Sequence, residues 1–342
     1  MSAAGGVSKA VERAVVHGCE ALQIFSKNGN QWRGKPLDPL EVRAFRQRVD
    51  ATGITPAVSH ASYLINLATT FPDLRSQSIA AFIDELDRAH ALGLLGVVVH
   101  PGTCTAGTEE NALRLIADGI RESFKARPRR KTMVILEHTA GQGRTLGYRF
   151  EHLRTILDHL DGSPRIGVCL DTCHLVASGY DIVSEEGYRQ TFADFERLVG
   201  VDRLRVFHGN DSKKPCGSRV DRHEHIGEGC LGEEPFRRLL HDRRFAGLPI
   251  LIETAKSKGC ERPNAIVADP RRSLAHDDFL TIAATMYRSR RHRVRYSGLL
   301  VRDERPDEGV LRSLDRLGHR PPGPRTAAGG PQGLSRCLWF RS

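Results

Sequence analysis

No stretch of the sequence approaches the ~18 consecutive apolar residues of a membrane-spanning helix, so an integral helical membrane protein is excluded. The first residues, Met1-Ser-Ala-Ala-Gly-Gly6, lack the basic-then-apolar layout of a secretory signal. There is no repeat of solenoid type. The eight cysteines are scattered along 342 residues, and the one close pair, Cys169 and Cys173, has no second pair to complete a thiolate metal site. A disulfide scaffold is thereby excluded, and a reducing, cytoplasmic setting is expected, with no membrane partner.

What is present is the composition of a globular chain. Hydrophobic residues make up 39% and charged residues 27%, enough to bury a sizeable core and to rule out disorder as the main state. The net charge of +10 is unevenly placed. Arg288 to Ser342 holds 13 arginines, no lysine and 5 acidic residues, a net +8, which leaves +2 for residues 1–287. Basic charge over the whole chain is therefore a poor argument for nucleic-acid binding. The division expected is a folded domain over 1–287 and an Arg/Pro/Gly-rich tail over 288–342 with little stable structure, apart from a turn or two of helix at Gly309–Leu317.

Seven short apolar runs punctuate the folded part: 21–25, 56–60, 96–100, 133–137, 166–171, 204–208 and 249–253. Helical periodicity lies between them at 79–92, 111–124, 150–160 and 192–198, and again at 277–287. Strands alternating with helices predict a parallel sheet, and this many units predict an α/β fold of the TIM-type (β/α) barrel class. Six of the seven runs end in a metal-capable side chain: His60, His100, Glu137, Asp171, His208 and Glu253. One such ending has a plain structural explanation, as a helix cap or a satisfied histidine. Six of seven do not, because the parallel strands of a barrel bring their C-terminal ends to one mouth.

Three more donors follow closely, His174 in Asp171-Thr-Cys-His174, and Asp221 and His223 in Asp221-Arg-His223. Nine ligands are too many for one tetrahedral ion and suit two or three ions sharing a carboxylate. Imidazole and carboxylate without thiolate suit zinc, and manganese and iron accept the same donors. Cys169 and Cys173 read as small packing residues. Clustered metals suit hydrolysis at phosphorus, where one ion activates water and others neutralise the phosphodiester oxygens.

At these residues the sequence resembles endonuclease IV, the metal-dependent apurinic/apyrimidinic (AP) endonuclease family. The resemblance runs from Ser2 to about Thr254. It rests on Ser2-Ala-Ala-Gly-Gly6, Ser62-Tyr-Leu-Ile-Asn66, His100-Pro-Gly102, Thr139-Ala-Gly-Gln-Gly143, Leu170-Asp-Thr-Cys-His174, His208-Gly-Asn-Asp211, Gly217-Ser-Arg-Val-Asp-Arg-His223 and Gly227-Glu-Gly229. It implies a (β/α)8 barrel with three zinc ions. It also implies cleavage of double-stranded DNA 5′ to an abasic site, leaving a 3′ hydroxyl and a 5′ deoxyribose phosphate, and trimming of blocked 3′ ends. By the same resemblance His60, His100 and Glu137 hold the first ion. Glu137 bridges to a second, completed by Asp171, His208 and Glu253, and His174, Asp221 and His223 hold the third. Glu137, Glu253 and Asp171 are then the catalytic carboxylates. Tyr63 and Leu64 match the segment that wedges into DNA where the abasic nucleotide is flipped out. Asn30 stands in the first DNA-contacting loop where some members carry a basic residue. Arg219, beside the third set of ligands, is expected to meet a phosphate.

The family begins with a strand ahead of Ser-Ala-Ala-Gly-Gly, whereas here Met1 immediately precedes Ser2. The expectation is a barrel lacking its first strand, either a truncated member or one whose true start lies upstream, acting as a monomer. Two other readings compete. A divalent-metal sugar isomerase or epimerase shares the barrel type but needs fewer ligands. A non-catalytic damaged-DNA-binding protein follows if the missing strand disables the site.

Overall fold

The computed structural model describes residues 1–254. The expected helix at 277–287, the domain boundary at 287 and the tail with its 309–317 turn lie outside the described residues. All seven expected strands form, and they make one parallel sheet nearly closed into a barrel. In order across the sheet they are β1 (Leu22–Phe25), β2 (Ala57–His60), β3 (Gly96–Val99), β5 (Met133–Glu137), β7 (Ile166–Asp171), β8 (Leu204–His208) and β11 (Ile250–Leu251). Spatial order thus follows chain order, as short right-handed strand–helix–strand units require. The last strand is shorter than the run 249–253, because among the described residues it pairs only with β8. Four two-residue strands form antiparallel ribbons above the sheet: β4 (Gly102–Thr103) with β6 (Thr145–Leu146), and β9 (Asp211–Ser212) with β10 (His223–Glu224).

The helices begin and end on local chemistry. In α2 (Pro39–Thr52) the Asp38 carboxylate accepts from Leu40 N at 2.8 Å, Pro39 presets the first turn, and Gly53 closes it in the left-handed region. α3 (Pro72–Leu92) starts seven residues before the predicted Ile79, because Pro72 opens it and Leu74 is the one apolar side chain after Pro72 and before Ile79, too few to set a helical period. α4 (Glu109–Ala126) is capped by Thr108, and α7 (Glu185–Leu198) by Ser184. The predicted α5 (Phe150–His159) forms as well. The sequence periodicity did not mark α2, nor α1 (Val7–Val16), α6 (Thr172–Ser178) or α8 (Glu234–His241). No described helix is long and apolar enough to cross a membrane.

The main core lies between the sheet and the helices. A second, smaller one fills the barrel: Val58, Val98, Ile135, Cys169 and Val206, with Leu251 against them. Each of these six residues stands two positions before one of the six strand-end donors. Side chains alternate along a strand, so the same face that packs the interior presents His60, His100, Glu137, Asp171, His208 and Glu253 one layer higher. On β1 the corresponding pair is Gln23 and Phe25, which is why this strand lacked a metal-capable ending.

Candidate metal centre

The nine predicted donors meet at the C-terminal mouth of the sheet. Glu137 is fully buried at the centre, and its two carboxylate oxygens face different partners. Oε2 lies 3.1 Å from His60 Nε2 and 3.3 Å from His100 Nε2. Oε1 lies 2.9 Å from His208 Nδ1 and 3.4 Å from His174 Nδ1. One carboxylate thus stands between two groups of imidazoles. His60, His100 and Glu137 form one set able to hold an ion, and Glu137, Asp171, His208 and Glu253 form another. Asp171, His174 and His223 form a third, where Asp221 closes in at 3.2 Å from both His174 Nε2 and His223 Nε2.

Local structure places these groups. Asp171 ends β7 and caps α6 by accepting from His174 N at 3.0 Å, so one residue locates the next ligand. Asn210 donates to Asp171 Oδ2 at 2.6 Å and accepts from Glu253 N at 2.8 Å. Asp211 accepts from four backbone amides, Ser212 and Leu231 on Oδ1 and Gly227 and Gly229 on Oδ2, and so folds the loop that carries Asp221 and His223. The floor is buried, whereas the side chains of His100 and Asp221 are 32% and 38% exposed, which opens the site to solvent on that side.

The charges are strongly coupled. Burial favours the neutral acid at Glu137, but His208 and His100 outweigh it and hold the carboxyl well below the usual range. Burial opposes protonation of His174, yet Asp171 and then Asp221 and Glu137 carry it up to about 10. For His223 burial again opposes, and Asp171 and Asp221 raise it to about 9. Cys169, although among the donors, is pushed up to about 12 by burial and remains a thiol, in line with its packing role. Cys173 is likewise raised to about 12 by burial. The six described cysteines, Cys19, Cys104, Cys169, Cys173, Cys216 and Cys230, are all free.

The donors fit a cation better than they fit one another. His174 Nε2 and His223 Nε2 are buried and take no hydrogen bond, although each lies 3.2 Å from the Asp221 carboxylate. Their distances are those of an ion pair, but their directions are not those of a hydrogen bond, as for ligands aimed at a shared point. Buried unpaired nitrogens are costly, and a cation held between them would supply the missing partner.

The other predicted residues border this centre. Tyr63 is 59% exposed, and its ring centroid lies 5.3 Å from that of His60 and 6.3 Å from that of His100. Leu64 beside it is half-buried, with its amide held by Ser62 Oγ. Asn30 is exposed on a turn in which Asn28 Oδ1 accepts from its amide. The two loops are joined, because Gly29 O accepts from Tyr63 N at 3.0 Å and from Ser62 Oγ at 2.7 Å. Behind them the buried Glu85 accepts from Ser26 Oγ and Ser62 N and pairs with Lys27 at 3.4 Å. Arg219 is exposed on a left-handed backbone, donates from Nε to Gly141 O, and stacks 4.2 Å over the Tyr148 ring. Its two terminal nitrogens make no hydrogen bond among the described residues. The sequence reading missed Gln23, Glu85 and the supporting parts played by Asn210 and Asp211. The one available signal was a polar Gln23 inside an apolar strand.

A parallel strand–helix barrel with imidazole and carboxylate donors at its C-terminal mouth defines a class, and the family model of the xylose isomerase-like TIM barrel matches residues 11–276. Within that class the chain is 51% identical over 258 residues to the probable endonuclease 4 of Chloroflexus aurantiacus, covering 75% of this chain and 90% of that one. It is 46% identical over 261 residues to the probable endonuclease 4 of Geobacter sp. strain M21, covering 76% and 92%. The solved endonuclease IV of Thermus thermophilus superposes with a TM-score of 0.70 at 34% identity, over 84% of this chain and 97% of that one. A D-tagatose 3-epimerase-like protein gives a TM-score of 0.60 at 17% identity, a likeness of fold alone. The chain belongs to the endonuclease IV family, and it is a hydrolase of deoxyribonuclease IV type with a place in DNA repair.

Proposed function

We propose that this protein nicks double-stranded DNA on the 5′ side of an abasic site, leaving a 3′ hydroxyl and a 5′ deoxyribose phosphate, and that it trims blocked 3′ ends. The observation that carries the reading is the Glu137 carboxylate, with one oxygen facing His60 and His100 and the other facing His208 and His174. In this reading His60, His100 and Glu137 hold one ion, and Glu137, Asp171, His208 and Glu253 hold a second. His174, Asp221 and His223 hold a third, and zinc is the metal that best suits nine oxygen and nitrogen donors. When bound, the ions supply a nucleophile from water at neutral pH and neutralise the phosphodiester oxygens.

The protein's own side chains do the rest. Glu137, Asp171 and Glu253 fix the charge of the site from a buried floor. Tyr63, exposed and packed on His60 and Phe25, stacks in the gap that an extruded abasic nucleotide leaves, with Leu64 beside it. Asn30 contributes a polar contact from the neighbouring loop. Arg219, held by Gly141 and Tyr148, offers its free edge to a phosphate. The protein acts as a monomer in the cytoplasm. The trio His174, Asp221 and His223 weighs against a sugar epimerase, which needs fewer donors.

The test is a duplex with one abasic site incubated with the full chain. A single nick 5′ to the site is expected, lost on chelation and restored by zinc, with two or three metal ions per chain. Tight binding without cleavage would favour a damage-binding protein, and sugar turnover without nicking an epimerase. Tyr63→Ala is expected to weaken binding to the abasic duplex about tenfold, since one base–aromatic stack contributes roughly 1–3 kcal/mol, while metal content stays unchanged. Fluorescence anisotropy checks this, and undiminished affinity would refute the wedge role.

A further inference from the structure

Three histidines of the site are oriented in the same way. Nδ1 of His60, His174 and His223 lies 2.8, 2.8 and 3.3 Å from the backbone oxygens of Ala61, His138 and Glu253, which leaves Nε2 facing the other donors. His208 is turned around. Its Nδ1 faces Glu137 Oε1 at 2.9 Å and Glu253 Oε2 at 3.2 Å, and its Nε2 lies 3.0 Å from the side-chain oxygen of Gln23. Gln23 Nε2 in turn donates to Glu253 Oε1 at 2.5 Å. A single carboxamide therefore engages two donors of the central set, reaching from the first strand of the sheet to a residue just past the last. Its neighbours in the inner layer, Val58, Val98, Ile135, Cys169, Val206 and Leu251, are all small or apolar. A glutamine is out of place there unless both ends of its amide are used, and both are.

We propose that Gln23 is a positioning residue for the central cation. Its oxygen accepts the Nε2–H of His208, which fixes the tautomer with the Nδ1 lone pair directed at the ion. Its amide nitrogen occupies Glu253 Oε1, which turns Oε2 to the same point. His60, His174 and His223 obtain this orientation from backbone carbonyls; His208, reversed, needs a side chain. The inference rests on the reading that His208 and Glu253 hold a cation.

Gln23→Leu removes both hydrogen bonds and adds an apolar residue to an apolar layer. Zinc binding by the full chain is measured by competition with a chromophoric chelator, and urea unfolding is followed on the metal-stripped protein. One site is expected to bind zinc about 10- to 100-fold more weakly, the usual effect of losing an outer-shell partner, with no fall in the urea midpoint. Gln23→Asn, whose amide is one methylene too short, is expected to lose the same affinity, and it carries the test if the leucine variant does not fold. Wild-type zinc affinity in the variants would overturn the role of Gln23 while leaving the metal centre in place. Wild-type protein that binds no zinc would overturn the metal centre itself, and this proposal with it.

Discussion

Replacing Glu137 by glutamine is expected to reduce nicking of an abasic duplex by roughly 10³-fold or more, and to lower the metal content by at least one ion per chain. Each oxygen of this carboxylate faces a different group of imidazoles, so it belongs to two of the candidate ion sites at once. Glutamine keeps the volume in a position with no solvent exposure, but it removes the negative charge and replaces one acceptor oxygen by a donor that points at imidazole nitrogen. Loss of several kcal/mol of charge stabilisation at the reacting phosphate corresponds to about 10³-fold or more in rate. Elemental analysis and a nicking time course measure the two effects together. Near-normal activity with a full metal complement would remove Glu137 from the centre of the mechanism.

The second large effect is expected at Asp211, which faces the supporting loop. Its carboxylate accepts from the amides of Ser212, Gly227, Gly229 and Leu231 at 2.7–3.1 Å and is wholly buried. A buried N–H left without an acceptor costs about 1–3 kcal/mol, and partial relaxation of the loop limits the sum. Asp211→Ala is therefore expected to destabilise the protein by about 4 kcal/mol and to release the loop that carries Asp221 and His223. Asp211→Asn, which keeps one oxygen, is expected to cost about half as much. Gly229 belongs to the same device, since a Cβ there would lie 2.4 Å from Asp211 Oδ1 and 2.5 Å from Ser212 O. Urea denaturation and metal analysis check the prediction; an unchanged midpoint with all ions retained would mean that the loop holds without its carboxylate.

Much of the site was legible in the sequence because its first six donors obey a local rule. An apolar side chain at position i of a strand and a donor at i+2 share one face, and Val58/His60, Val98/His100, Ile135/Glu137, Cys169/Asp171, Val206/His208 and Leu251/Glu253 all follow it. Parallel strands then carry the six to one mouth. His174 was legible only by its spacing, three residues past Asp171; the structure added that Asp171 caps α6 and so sets it in the first turn. Asp221 and His223 were not placed by any such rule. Asp221 lies in a loop and His223 opens β10; nearness to the His208 run put both among the nine donors, and motif resemblance alone grouped them on a third ion. The start of α3 was missed because, of residues 73–78, only Leu74 is apolar, and one residue sets no period.

The amino-acid order alone thus decided the fold class, the strands and the kinds of donor at their ends, because alternation and capping act over two to four residues. The tertiary structure alone decided how those donors are aimed: which nitrogen of His208 faces Glu137, which oxygen of Glu253 is taken by Gln23, and how Glu85 and Asp211 hold the surrounding loops. Aim depends on hydrogen bonds between groups as far apart in the chain as Gln23 and Glu253, and such bonds have a length and a direction only once the barrel has brought its first and last strands together.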